Sequence, residues 1–508
     1  MAGRALALIA AGAVLAFALG PLAVVWAGAD ASGLRPADWA ALRFTLWQAA
    51  WSAGLSVVLA IPVARALARR DFPGRRAVVS LMTVPFLLPV IVAVLGLTAV
   101  FGRSGLLAQA TGLTVSPYGP GGVVLAHVFF NLPLATRLIL AGWEAVPAER
   151  LRLAESLGAG RLAMIRLIEW PVLRASVPGA AAVIFVICLT SFAVALTLGG
   201  GPRATTVELA IYEAFLLDFD AGRAARLALI QAGLGLAAVL LGLALPLPRV
   251  GGGLGRVHWR WTGGGRITDA IAIGAAALFV ALPVGAVIAR GAWHVAGLPA
   301  EVWMAARNSI TVAVASAVLT LALGLAIAIG GRRLEEGAAT LAIAISPLVI
   351  GTGLFLAVNP FARPSDVALP VTAAVNAVMA LPFALRFLAP AARRVREGQH
   401  RLAASLSMTG WTRLRLVDLP GMRREIGAAS GLAAALSMGD LGVIAFFADA
   451  ERATLPLQMV RLMGAYRMDD AMGAAVVLVL LAFGAFRLCD AWGARSAGQA
   501  WRARRAPA

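Results

Sequence analysis

Apolar runs of about 20 residues recur along the whole chain, and the short stretches between them hold most of the charge. A run of that length is what an α-helix needs to cross the hydrocarbon core of a bilayer. The pattern predicts spans at about 5–27, 45–66, 77–101, 121–143, 176–198 and 226–247. After a polar break it predicts six more, at about 267–289, 308–331, 338–358, 367–390, 426–448 and 471–493. The expected fold class is therefore all-α, a polytopic membrane protein of about twelve spans. Pro85 and Pro89 should bend the third span, a distortion that neighbouring helices compensate. Residues 102–120 and 199–225 read as loops. The first span follows Arg4 in the charge order of a signal peptide, but its apolar run exceeds the usual stretch of about 7–15 residues, so it reads as an uncleaved span.

Two polar stretches interrupt this pattern in a related way. The first, residues 150–171, alternates Leu151, Leu153, Ala154 and Leu157 with Arg150, Arg152 and Glu155, which gives a helix one apolar and one wet face. Gly158 and Gly160 then allow a tight turn, and Pro171 should close the segment just before the fifth span. The second stretch, residues 400–420, repeats it at an offset of 249. Arg152 matches Arg401, Ala154 matches Ala403, Ser156 matches Ser405, Leu157 matches Leu406, Gly158 matches Ser407 and Pro171 matches Pro420. The same offset aligns His127–Arg137 with Asn376–Arg386. Upstream, Arg43 before span two matches Arg307 before span eight, the longer loop 102–120 absorbing the difference. These matches divide the chain into a first unit, 1–248, a Gly- and Arg-rich linker, 249–266, and a second unit, 267–508. Two copies of six spans each lie in the same orientation, related by a pseudo-two-fold axis along the membrane normal.

Composition narrows the function classes. The 508 residues are 60% hydrophobic and only 14% charged, where a soluble chain carries roughly 25%. The net charge of +19 comes entirely from arginine, with no lysine anywhere. These arginines sit in short loops beside apolar runs, which reads as membrane topology and not as a nucleic-acid surface. They place the amino terminus, both duplicated loops, the linker and Arg502, Arg504 and Arg505 on the cytoplasmic side. A phosphate-binding P-loop needs its lysine, so the Gly-rich segment 199–208 is not one. Cys188 and Cys489 fall in spans without a CxxC partner, and the four histidines lack metal-ligand spacing.

A short amphipathic cytoplasmic helix that occurs twice at one register suits a partner's groove better than a lipid interface. At this point the chain resembles the permease subunits of binding-protein-dependent ABC importers. Their loop signature is Glu-Ala-Ala, three residues, Gly, nine residues, Ile, one residue, Leu-Pro. It falls on Arg152–Ala154, Gly158, Ile168, Trp170 and Pro171, and again on Arg401–Ala403, Ser407, Val417, Leu419 and Pro420. The signature Glu is Arg in both copies, and its Gly is Ser407 in the second. Residues 116–119, 125–133, 198–212 and 436–443 are similar to the fused permeases of thiamine importers, and that similarity runs over nearly the whole chain. The resemblance implies an inner-membrane translocating subunit with no catalysis and no cofactor of its own. It implies two copies of a cytoplasmic ABC ATPase, which carry the ATP and Mg²⁺, and a periplasmic thiamine-binding protein. The substrate implied is thiamine and its phosphate esters; the residues themselves leave ferric iron, a polyamine or another small solute open.

For the substrate path the sequence offers Asp440, an acid inside the eleventh span flanked by Gly439 and Gly442, because a carboxylate at membrane depth is costly without a function or a partner. The matching place in the fifth span is Ser191-Phe192. The loop 68–76 ends like the Asp-x-x-Gly-Arg-Arg of proton-coupled major facilitator transporters, which also have six plus six spans. That family lacks the paired loops, which makes it the weaker reading.

Overall fold

The computed structural model describes residues 2–29, 33–113, 115–243, 265–341 and 345–503. The expected linker lies outside them but for Gly265 and Arg266. The first part of the chain runs through helices α1 (Ala2–Gly28), α2 (Pro36–Arg69), α3 (Arg75–Leu81), α4 (Val84–Leu87), α5 (Val90–Phe101), α6 (Leu106–Thr111) and α7 (Pro120–Glu144). It continues through α8 (Ala148–Ser156), α9 (Arg161–Met164), α10 (Trp170–Leu189), α11 (Phe192–Leu198), α12 (Val207–Leu216) and α13 (Ala221–Leu243). The second part comprises α14 (Arg266–Gly291), α15 (Ala300–Gly330), α16 (Arg333–Leu341), α17 (Pro347–Val358) and α18 (Ala368–Ser405). Then follow α19 (Gly410–Arg413), α20 (Leu419–Gly421), α21 (Arg423–Met438), α22 (Ile444–Phe447), α23 (Leu455–Gly464) and α24 (Met468–Ala503). Among the described residues there is no strand.

Ten helical stretches among the described residues are long and apolar enough to cross a membrane. The other two expected spans are each broken. Residues 338–358 fall on α16 and α17, with 342–344 outside the described residues; α17 begins at Pro347, which has no N–H with which to continue a helix, and Ser346 caps it, its Oγ accepting from Leu348 N at 3.1 Å. Residues 426–448 divide between α21 and α22 at Gly439-Asp440, where Asp440 Oδ1 accepts from Gly442 N at 3.2 Å. The first part breaks at the matching places. The expected third span is three pieces, α3, α4 and α5, divided before Pro85 and at Pro89, a sharper change than a bend. The fifth span breaks at Thr190-Ser191.

The expected loop 199–225 is largely helical and largely buried. Thr206 caps α12, and Val207 N donates to Thr45 Oγ1 on α2 at 2.9 Å. On the second side Leu455 N donates to Ser309 Oγ on α15 at 2.8 Å. Thr45 and Ser309 stand at the same offset as Arg43 and Arg307, so one hydroxyl holds one inserted helix in each part. A Gly- and polar-rich stretch that has its helix N-terminus satisfied from a neighbouring span can be buried, which local composition does not show. The expected loop 102–120 also contains a helix, α6.

The first helix of each part packs on the other part. Helix α1 lies against α15 and α17, and α14 lies against α2 and α5. Both use a proline carbonyl. A Cβ on Gly96 of α5 would stand 2.5 Å from Pro283 O of α14, and one on Gly353 of α17 would stand 2.3 Å from Pro21 O of α1. Small residues that let backbones approach this closely are how helices associate where lipid removes the hydrophobic driving force.

Candidate functional site

The duplicated loops share their turns, though the first opens with a separate helix, α8, and the second with the end of the long α18. Helix α8 ends at Ser156 and α18 at Ser405. The chain reverses in the left-handed region at Gly158 (φ +66°) and at Ser407 (φ +52°). Ala159 N donates to Ala154 O and Met408 N donates to Ala403 O, each at 2.9 Å, the six-residue closure of a Schellman turn. Beyond the turns a single π-turn follows at Ile165–Glu169 and again at Leu414–Asp418. Pro171 therefore does not end its segment as expected; its match Pro420 lies in α20, which stops one residue later. Each sits in the turn after a π-turn, whose wider register lets Trp170 N reach Ile165 O and Leu419 N reach Leu414 O while the proline needs no donor. The last residue of each π-turn is a buried acid. Glu169 takes both oxygens to Arg65 Nε on α2 at 2.9 Å, whereas Asp418 lies 3.7 Å from Arg413 of its own loop. Arg65 belongs to a basic end of α2 whose Arg70 also holds Asp269 of α14 at 2.7 Å.

Apolar side chains on these loops face outward in matched pairs: Leu157 and Leu406, Leu162 and Trp411, Leu167 and Leu416 are all exposed. Arg152 and Ser156 are exposed and Ala154 is half-buried, while Ser405 is exposed and Ala403 is buried. The side chain of Arg401 lies outside the described residues. A non-glycine residue in the left-handed region is strained by about 1 kcal/mol or more. Ser407→Gly is expected to remove that strain, and Gly158→Val to introduce it, since open space surrounds Gly158 and only φ opposes a side chain. Hydrogen–deuterium exchange across 400–413 and 150–164 reads both changes: slower exchange in the first variant and faster in the second.

Breaks of the two parts meet where the parts touch, Gly439 against Pro89 and Ser346 against Glu208. Ser191 Oγ lies 2.7 Å from His127 Nε2, and His127 Nδ1 lies 3.2 Å from Ser52 Oγ. The position matching His127 is Asn376, which donates to Ser437 Oγ at 3.0 Å, just before Gly439 and Asp440. Gly439 faces Pro89 of the first part, and Gly442 faces Pro347. Asp440 Oδ2 is buried and accepts no hydrogen bond from a described residue. Phe192 is buried and packs on Tyr212, ring centroids 5.2 Å apart. Tyr212 and Phe215 in turn meet Phe446 at 5.9 and 5.7 Å, and Phe215 meets Phe355 at 4.7 Å. Thus Phe192 reaches the seam through Tyr212, and Asp440 lies beside Gly439, which meets Pro89 there, whereas Ser191 is held within the first part by His127; Ser191 and Phe192 belong to one break and Asp440 to the other.

Two buried groups, one of them at this seam, escaped the sequence reading. Glu208 of α12 is 2% exposed and accepts from Ser346 Oγ across the seam. Farther along α12 and α13, Arg223 binds Asp38 Oδ1 through Nε at 3.0 Å and Nη2 at 2.8 Å, which fixes α13 to the start of α2. The only sequence signal for Glu208 was its spacing, four residues before Tyr212 and seven before Phe215, the stripe of a helix face.

A bundle of membrane-length helices with paired breaks at a central seam and a duplicated loop on one end defines a polytopic membrane permease. The relatives say which. The chain belongs to the family of thiamine transport system permease proteins. It is 40% identical to the thiamine transport system permease protein of Brucella abortus (strain 2308), over 96% of this chain and 93% of that one. It is 40% identical to that of Salmonella typhimurium, over 89% and 88% of the two chains, and 32% identical to that of Haemophilus influenzae, over 87% and 86%. No protein-family model matches the chain.

Proposed function

We propose that this chain is the translocating subunit of an ATP-driven importer of thiamine in a bacterial inner membrane. Residues 1–248 and 267–508 are its two permease units, joined by a cytoplasmic linker, with both termini in the cytoplasm. A periplasmic binding protein delivers thiamine at the end holding α12 and α23. Two copies of an ATPase, with their ATP and Mg²⁺, grip the loops 150–171 and 400–420 at the other end, and hydrolysis stays with them. The observation that carries this reading is the pair of loops with identical turns, identical π-turns and exposed apolar side chains at one register. Exposed apolar groups in matched pairs are unfavourable in water and mark a docking surface used twice. The names of the relatives supply the substrate.

The mechanism is alternating access. Drawing the two loops together moves α2 and α10 in the first unit and α18 and α21 in the second, and the seam opens at the opposite end. The substrate contributes only what it binds differently in the two states. Phe192 and Asp440, with Ser191 beside the first, stand at the seam where that difference arises. A strain lacking the chain should lose uptake of labelled thiamine and regain it when the gene returns. Full uptake without the chain would contradict the reading. Bulky residues at both Gly158 and Ser407 should sharply reduce ATPase recovered with the purified permease; unchanged recovery would remove the loops from that role.

A further inference from the structure

Among the described residues Glu208 has no cationic partner. Its carboxylate accepts from Ser346 Oγ and, at 3.4 Å, from Gln231 Nε2, and both partners are neutral. A carboxylate 2% exposed with no counter-charge among the described residues is expensive, and the position of Glu208 in the first turn of α12 offsets only part of that cost. Gln231 is 1% exposed, and its Oε1, on the amide that reaches Glu208, accepts no hydrogen bond from a described residue. The same helix face carries Tyr212 and Phe215, whose rings join Phe192 and Phe446. An uncompensated carboxylate, a spare carbonyl oxygen and a group of aromatic faces share one need, a positive charge.

We propose that Glu208, Gln231, Tyr212 and Phe446 form a binding site for an organic cation, the charged aromatic ring of the transported substrate. The site rests on the thiamine reading above and names the residues that hold its thiazolium. Its two sides belong to different parts of the chain. Ser346 and Phe446 come from the second part, and Glu208, Gln231 and Tyr212 from the first. When the parts separate at this end, Ser346 withdraws and the carboxylate opens onto the path with only Gln231 beside it. The cation then takes the place of Ser346. When the parts close, Ser346 returns and the cation is displaced. The seal and the site are thus one device, which supplies the differential contact that transport requires.

The test uses the whole chain purified with its ATPase and trapped with ATP and vanadate. Labelled thiamine is displaced either by thiamine or by its neutral thiophene analogue, in which carbon replaces the charged ring nitrogen. The wild type should bind thiamine at least tenfold more tightly than the neutral analogue. Glu208→Gln should abolish that preference while the affinity for the neutral analogue stays within twofold, and Glu208→Asp should keep the preference. Equal binding of the two ligands by the wild type overturns the proposal whether or not any variant folds. So does a retained preference in Glu208→Gln. If the complete wild-type importer takes up no thiamine, the parent reading fails; uptake without charge preference defeats only this site.

Discussion

Arg65→Met will lower thiamine uptake at least tenfold while the ATPase still copurifies with the chain. Arg65 reaches from α2 to both oxygens of Glu169, the last residue of the first π-turn. Both side chains are mostly buried, so removing the guanidinium leaves a carboxylate without its charge partner at a cost of about 3 kcal/mol. Leu157, Leu162 and Leu167 are exposed and make no part of this pair, so they keep their surface. What breaks is the link from loop to span. Arg65 sits one turn before Arg69 and Arg70, and Arg70 ties α2 to Asp269 of α14. One helix therefore passes a pull on the first loop to both parts of the chain. In the second loop Asp418 pairs instead with Arg413 of its own segment, at 3.7 Å, and also feels the charge of Arg396 on α18. Arg413→Met should accordingly reduce uptake less than Arg65→Met. The charge swap Arg65→Glu with Glu169→Arg should restore part of the loss. Equal uptake by wild type and Arg65→Met would show that this pair transmits nothing.

The second large effect is on assembly. Gly96→Val and Gly353→Val each place side-chain atoms on a proline carbonyl that a bare Cβ would already approach within 2.5 and 2.3 Å. Backbone on both sides leaves no flexible neighbour to give way, and overpacking of that kind costs about 3 kcal/mol. The two sites lie in different interfaces, α5 with α14 and α17 with α1, so their costs should add in the double variant. Each single variant should lower the thermal midpoint of the purified permease, and the double variant should not accumulate as folded protein. Gly96→Ala and Gly353→Ala fall between. A Val variant with an unchanged midpoint would mean that the first helices do not dock as described.

Much of this was legible because duplication leaves a fixed offset. Leu157 and Leu406, the turns at 158 and 407, and Thr45 with Ser309 each fall where one of two constant shifts puts them. Asp440 was legible because an acid within an apolar run has few innocent explanations. Glu208 was not, because its surroundings, Gly199 to Thr206, read as a connector; burial came from Thr45 and Ser346, residues 163 and 138 positions away. The exchange of α1 and α14 was also invisible. Both helices are apolar on all sides, and hydropathy states that a helix is in the membrane without stating whom it touches. The prolines were seen but misjudged. Pro171 suggests a stop, yet a π-turn before it carries the helix through.

The central claim is that this chain is a passage driven from outside through its two loops. The direct measurement is thiamine accumulation in proteoliposomes holding the chain alone or with the ATPase, the thiamine-binding protein and ATP. The account predicts accumulation only in the complete set, none when ATP is omitted, and at least tenfold less when Arg65→Met replaces the wild type. Accumulation by the chain alone, driven by a proton gradient, would contradict it.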